Sequence, residues 1–158
     1  MSVQEHTPLL NYYLRSSLHS HCSSLTASAL SLRPTDPTLL FWEAFSDLQG
    51  GNREEGAREM EALEDKRDTA YAAAVAIIYF QRRSERPDEG LIADLSRSLP
   101  SAEQSVTPTG VLLTAGFHLY TGSYGEAREW IERVVPRGAP NGPVEVAAVA
   151  LRGWIEIT

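Results

Sequence analysis

The sequence predicts an all-α chain, a solenoid of about nine helices paired into antiparallel hairpins. Three observations carry this. No stretch alternates apolar and polar residues with period two, so strands have no signal. Turn-forming clusters recur at short intervals: RPTDP at 33–37, QGGN at 49–52, ERPD at 85–88, VTP at 106–108, TGS at 121–123 and GAPNGP at 138–143. Between them, small and aromatic residues return at similar spacing, most clearly in TAGFHLYTGSYGEAREWIERVV at 114–135.

The elements follow in order. Helices are expected over 4–16 and 19–33. The second is rich in serine (SSLHSHCSSLTASALS), which competes for backbone hydrogen bonds, so it should be locally weak. It suits the polar outer face of a capping hairpin. Asp36 as N-cap with Pro37 in the first turn starts a helix over 37–49. Asn52, followed by Glu55, is a variant of the capping box and starts 53–65. Helices over 69–83 and 87–98 come next, separated by the longer turn RRSERPDEG. Thr107 and Pro108 repeat the Asp-Pro device and start 108–121. Ser123 with Glu126 forms a capping box for 124–135. A last helix covers 143–157. Short loops between such helices favour antiparallel neighbours.

The helices also recur as pairs. Ala115 and His118 lie on one helix face, Gly122 ends that helix, Tyr124 opens the next, and Ala127 faces back. Helices cross closely only where facing residues are small, so Ala115 and Ala127 mark a crossing. Gly122 supplies a left-handed backbone, and Tyr124 is expected to wedge beside the turn. This order resembles the tetratricopeptide (TPR) motif of about 34 residues, which implies a right-handed solenoid. The first unit (3–36) offers Leu10, Tyr13, Cys22, Ala29 and Pro34. The second (37–68) offers Leu40, Ala44, Gly51, Gly56 and Met60. A third (69–107) offers Ala76, Tyr79 and Gly90. The fourth is 108–142, and Val146 and Ala150 begin a half unit over 143–158.

Composition narrows the function. The chain has 158 residues, is 42% hydrophobic and 22% charged, and carries a net charge of −7 with 14 basic residues. It has no basic tract for nucleic acid. The lone Cys22 fits a reducing compartment. The apolar run AYAAAVAIIYF at 70–80 is shorter than the ~20 residues of a membrane span. The N-terminus carries no secretory pattern, so a soluble intracellular protein with no direct membrane insertion is expected.

Candidate chemistry is sparse. His19 and His21 diverge on a helix and do not share an ion, while His6 and His118 are isolated in sequence. Cys22 beside two histidines lacks a protease signature and reads as a small packing residue. His118 reads as a packed, hydrogen-bonded imidazole. In the charge run NREEGAREMEALEDKRD at 52–68, Glu54 and Arg58 stand in the favourable i,i+4 order, Glu55 and Glu59 repel mildly, and the face should be solvated. No phosphate loop, dinucleotide, zinc-protease, CxxC or nucleophile-elbow motif occurs. No catalytic, cofactor-binding or metal-binding residue is assigned.

With the repeats aligned, the chain resembles the N-terminal region of the tetratricopeptide repeat protein 21 family, the large TPR subunit of intraflagellar transport complex A (IFT-A). Carrying this are Asn11-Tyr12-Tyr13, then Asp36-Pro37 with Phe41-Trp42 and Ala44, EGAREMEAL at 55–63, and Ile77-Ile78-Tyr79. Ala115-Gly116 with Leu119, EAREWIERV at 126–134, and WIEIT at 154–158 complete the set. Gly56, where alanine is expected, and the serine-rich helix depart from the pattern and predict weak helices there. The resemblance implies a non-enzymatic scaffold without a cofactor. It implies action in retrograde transport along the ciliary axoneme and in ciliary receptor trafficking. Partners would be other IFT-A subunits with WD40 and TPR domains, and the location cytoplasm, basal body and cilium or flagellum. Family members are much longer, so an N-terminal fragment is expected. Its last helix would leave an apolar stripe (Val146, Val149, Ala150, Trp154) for a further contact.

In the TPR register the first helix of each pair lines a concave groove. Its expected partner-binding residues are Phe41, Phe45 and Gln49, then Ile77 and Phe80 with Ala73, then Leu112, Leu119 and Tyr120 with Gly116. Expected packing stations are Tyr13, Ala44, Gly51, Ala76, Tyr79, Ala115, Gly122, Tyr124 and Ala127. Such an apolar groove suits a partner helix. It lacks the basic clamp of chaperone-binding TPR adaptors, the alternative reading. An enzyme hidden in the repeats would need polar groups converging on a pocket, and the groove offers few; a metal bound among His19, His21 and Cys22 would revive that reading.

Overall fold

Asp36 opens the first described helix by accepting hydrogen bonds from the backbone N–H groups of Thr38 and Leu39, at 3.0 and 3.4 Å. The computed structural model describes residues 36–134, 149 and 151–153. Six helices run through them: α1 (Pro37–Gln49), α2 (Arg53–Glu61), α3 (Ala70–Arg82), α4 (Glu89–Glu103), α5 (Pro108–Tyr120) and α6 (Tyr124–Ile131). The described residues contain no strand. The helices expected over 4–16 and 19–33 lie outside them, with Tyr13, Cys22 and the early histidines. Of the last helix, Val149 and residues 151–153 are helical. No helix among the described residues is long and apolar enough to cross a membrane.

Consecutive helices pack as hairpins, α1 on α2, α3 on α4 and α5 on α6, while α3 also packs on α5. Thr107 caps α5 by accepting from the Gly110 N–H at 3.1 Å. Its hydroxyl also donates to Asp68 Oδ1 at 2.7 Å, which ties the start of α5 to the turn before α3. Gly110 is needed there: a Cβ would stand 3.1 Å from the Asp68 carbonyl oxygen. Consecutive first helices thus begin side by side.

One core joins α1, α2, α3 and α5 around Phe41, Phe45, Met60, Ala76 and Phe117. A second joins α5 and α6 around Ala115, Leu119, Ala127 and Ile131. Ala44, Ala76, Ala115 and Ala127 are fully buried.

Local expectations need correction at five places. Asn52 and Ser123 make no side-chain cap; their ψ values of 62° and 66° depart from the extended backbone that aims a capping oxygen at the helix. Helix α2 ends at Glu61, where bonds such as Leu63 N–H to the Met60 carbonyl (3.1 Å) tighten the chain into turns. Helix α4 runs through Pro100 to Glu103, past the expected stop at 98. Arg58 pairs with Glu55 at 2.6 Å, not with Glu54. Gly56 is no weak point: a Cβ there would lie 2.7 Å from Leu48 Cγ and 2.9 Å from its backbone nitrogen. Only glycine lets α2 approach α1 so closely.

Candidate functional site

Helices α1, α3 and α5 do not leave an apolar trough between them. Their aromatic residues fill it. The Phe45 ring lies 5.7 Å from Phe117 and 6.0 Å from Phe80, centroid to centroid, in edge-on pairs. Trp42 reaches α5, 5.5 Å from Tyr120. It covers Gly116, where a Cβ would stand 3.1 Å from the indole. The expected groove residues therefore divide. Phe41, Phe45, Ile77 and Leu119 are buried at 0, 1, 7 and 6% exposure and belong to the cores, which corrects their assignment as partner-binding residues. Ala73 and Gly116 are buried with them. Burial follows from aromatic bulk, because side chains of this size on adjoining helices meet before a channel opens. Leu112 and Tyr120 are half-buried against the second core.

Gln49 and Phe80 come together at one end of the bundle. They line a cleft of about 230 Å³ between α1, α2 and α3. Leu48, Ala57 and Ile77 share its lining, and Arg53, Glu61 and Arg83 carry its charges. This is an apolar recess with charged groups of both signs.

A larger cleft of about 340 Å³ lies among α3, α4, α5 and α6. Tyr71, Tyr79 and Trp130 supply aromatic surface there, while Arg82, Arg83 and Glu126 supply charge. Tyr71 and Trp130 lie 4.9 Å apart. The Arg83 guanidinium sits 3.5 Å from the Tyr79 ring centroid, a cation–π contact. His118, 8% exposed, places Nε2 3.5 Å from Glu126 Oε2. Burial lowers the His118 pKa below its ordinary 6.5, and the Glu126 carboxylate opposes that shift. Burial is also the main reason the Tyr71 pKa is raised. Tyr79 packs 5.3 Å from Phe117. Tyr124 does not wedge beside its turn. It is 42% exposed, because Ala127, Trp130 and Ile131 make the contacts of α6.

Sequence reading missed this cleft. RRSERPDEG reads there only as a longer turn, although the adjacent arginines at the end of α3 are a visible signal. It also missed a carboxyl cluster between α1 and α2. Burial, then the neighbouring Asp47 and Glu43, push the Glu59 pKa up to about 8. Glu59 is thus not a solvated charge. No group of three or more His, Cys, Asp or Glu suited to a metal occurs among the described residues. His19, His21 and Cys22 lie outside them.

The family model described as the tetratricopeptide repeat protein 21 N-terminal ARM repeat matches residues 10–158. The chain is 26% identical over 160 residues to mouse (Mus musculus) tetratricopeptide repeat protein 21B, with all of this chain and 12% of that protein covered. The human (Homo sapiens) 21B protein gives the same identity and coverage. The Xenopus laevis 21B protein is 28% identical over 147 residues, covering 93% of this chain and 11% of its own length. The chain thus spans about one eighth of the length of these relatives.

Proposed function

The chain belongs to the tetratricopeptide repeat protein 21 N-terminal repeat family, and from that premise we propose that it is the N-terminal segment of a non-enzymatic scaffold in intraflagellar transport complex A. In this reading the full protein acts in retrograde ciliary transport and in the entry of receptors into cilia. The observation that carries the proposal is the family match over residues 10–158, nearly the whole chain. The helical-repeat architecture supports it: hairpins stacked through small residues build extended surfaces that bind other proteins.

The partners are the other complex A subunits, which combine WD40 and TPR domains, and the location is cytoplasm, basal body and ciliary axoneme. Affinity purification of the tagged chain from ciliated cells tests this. Recovery of complex A subunits is the expected result. Recovery of heat-shock chaperones alone, through their C-terminal tails, overturns it in favour of a cytosolic TPR adaptor.

A further inference from the structure

We propose that the cleft among α3, α4, α5 and α6 docks an acidic linear segment of a partner protein. Its carboxylates would be held by Arg82 and Arg83, and its apolar side chains laid on Tyr71. This rests on the scaffold reading and names the chemistry of one partner.

The cleft lies where α3, α4, α5 and α6 adjoin, with α4 tied to α6 at one end. Arg133, just after α6, pairs with Glu103 at the end of α4 and stacks 3.9 Å over Trp130. Helix α4 fully buries Ile92, and Leu91 and Leu95 pack half-buried against the first core. The space of about 340 Å³ is at the small end for ligand pockets. A space of this volume takes a few side chains of a short segment.

Charge selects the occupant. The chain as a whole is acidic, at −7, but the cleft presents two adjacent arginines. Arg82 makes no ion pair among the described residues. Arg83 stacks on Tyr79 and donates to its carbonyl at 3.4 Å, which leaves most of its five N–H donors available. A guanidinium fork matches a carboxylate in two parallel hydrogen bonds. Glu126 also lines the cleft, beside His118. It disfavours a carboxylate next to it, while the arginines draw one. Tyr71, half-buried beside the buried Trp130, offers an apolar face.

Fluorescence anisotropy on the full 158-residue chain tests this with two labelled peptides, one alternating Glu with Leu and one alternating Gln with Leu. The Glu peptide should bind about 10-fold more tightly, and its affinity should fall with added salt. The double variant Arg82→Ala/Arg83→Ala should weaken it about 10-fold. Arg82→Gln alone, at a side chain with no ion pair among the described residues, should weaken it with unchanged thermal melting. Glu126→Gln should tighten it about 2-fold. Equal affinity for the two peptides, wild-type affinity in Arg82→Gln, or no saturable binding overturns the cleft assignment. If the chain then still co-purifies with complex A subunits, the scaffold reading stands without it. Loss of both sinks both.

Discussion

In both α1–α2 and α5–α6 the chain leaves the first helix through a glycine at positive φ, +95° at Gly51 and +87° at Gly122. The next residue then donates its N–H back to the helix. Asn52 bonds the Asp47 carbonyl at 2.9 Å, and Ser123 bonds the His118 carbonyl at 2.8 Å. Each second helix is short and ends in tightened turns. The backbones of these two turns are nearly the same. Their interiors are not. At the same distance beyond the turn glycine stand Gly56 in one hairpin and Ala127 in the other. Ala127 is fully buried with its methyl in place, whereas a methyl on Gly56 would strike Leu48. Asp47 faces the carboxyl of Glu59, while the equivalent His118 faces the carboxylate of Glu126. The turn therefore sets that two helices fold back, and the facing side chains set how close they come and which protons they hold.

The sharpest test of this contrast uses the matched pair Phe117 and Ser46. Phe117 is 1% exposed and joins α5 to Phe45 and Tyr79. Phe117→Ala should lower the unfolding free energy by about 3–5 kcal/mol in urea titration. Ser46 is equally buried, but its hydroxyl has no hydrogen-bond partner among the described residues. Ser46→Ala should be neutral or stabilise by about 1 kcal/mol. Destabilisation by Ser46→Ala as large as that of Phe117→Ala would break the comparison.

The crossing distance comes next. Gly56→Ala should destabilise by about 1–3 kcal/mol, because backbone as well as side chain must shift. Gly125, in α6, has nothing within 4 Å of its would-be Cβ. Gly125→Ala should stay within about 0.5 kcal/mol of the wild type, on the stabilising side. Thermal melts of the two variants measure the difference directly. At the shared turns, Gly51→Ala and Gly122→Ala should each lose about 1–2 kcal/mol, because both force a Cβ into the left-handed region. Clearly unequal losses would show that the two turns are not energetic equivalents.

The smallest effect is the most specific. Glu59 has its pKa raised to about 8 in the folded chain against 4.5 unfolded. Its contribution is complete below pH 4.5 and is lost as pH rises toward 8. His118 has the opposite sense: its folded pKa lies below 6.5, so its contribution is present above pH 6.5 and is lost on acidification. Hydrogen exchange at pH 5.5 and 8.5, corrected for intrinsic rates, should show α1–α2 relatively better protected at the lower value and α5–α6 at the higher. Glu59→Gln should flatten the first trend, with a stability change below about 1 kcal/mol at pH 8 because Glu59 is only partly buried. An unaltered trend in Glu59→Gln removes the carboxyl cluster from the account.

Much of the fold was legible at particular residues. Asp36-Pro37 and Thr107-Pro108 announce α1 and α5 because a cap and a first-turn proline act within one turn of helix. Gly51 and Gly122 announce the reversals because a positive φ is a local requirement. The candidate sites were less legible. Phe41 and Phe45 lie on the expected face of α1, but whether that face meets solvent depends on how far Phe80, Phe117 and Trp42 reach from other positions in the chain. The larger cleft depends on how α3, α4, α5 and α6 come together, a fact of packing that no local pattern in RRSERPDEG records.

The order of residues by itself determined that this chain is helical, where most of its described helices begin, where its paired helices reverse, and to which family it is related. Those features rest on backbone preferences and hydrogen bonds spanning a few residues, and on the spacing of small side chains along one helix. Only the tertiary structure decided that the inner aromatic face is filled rather than open, that Gly56 is required, and that Glu59 and His118 are shifted in opposite directions. Each of those depends on distances between atoms far apart in the chain, where a fraction of an ångström separates contact from clash and a buried carboxyl from a solvated one.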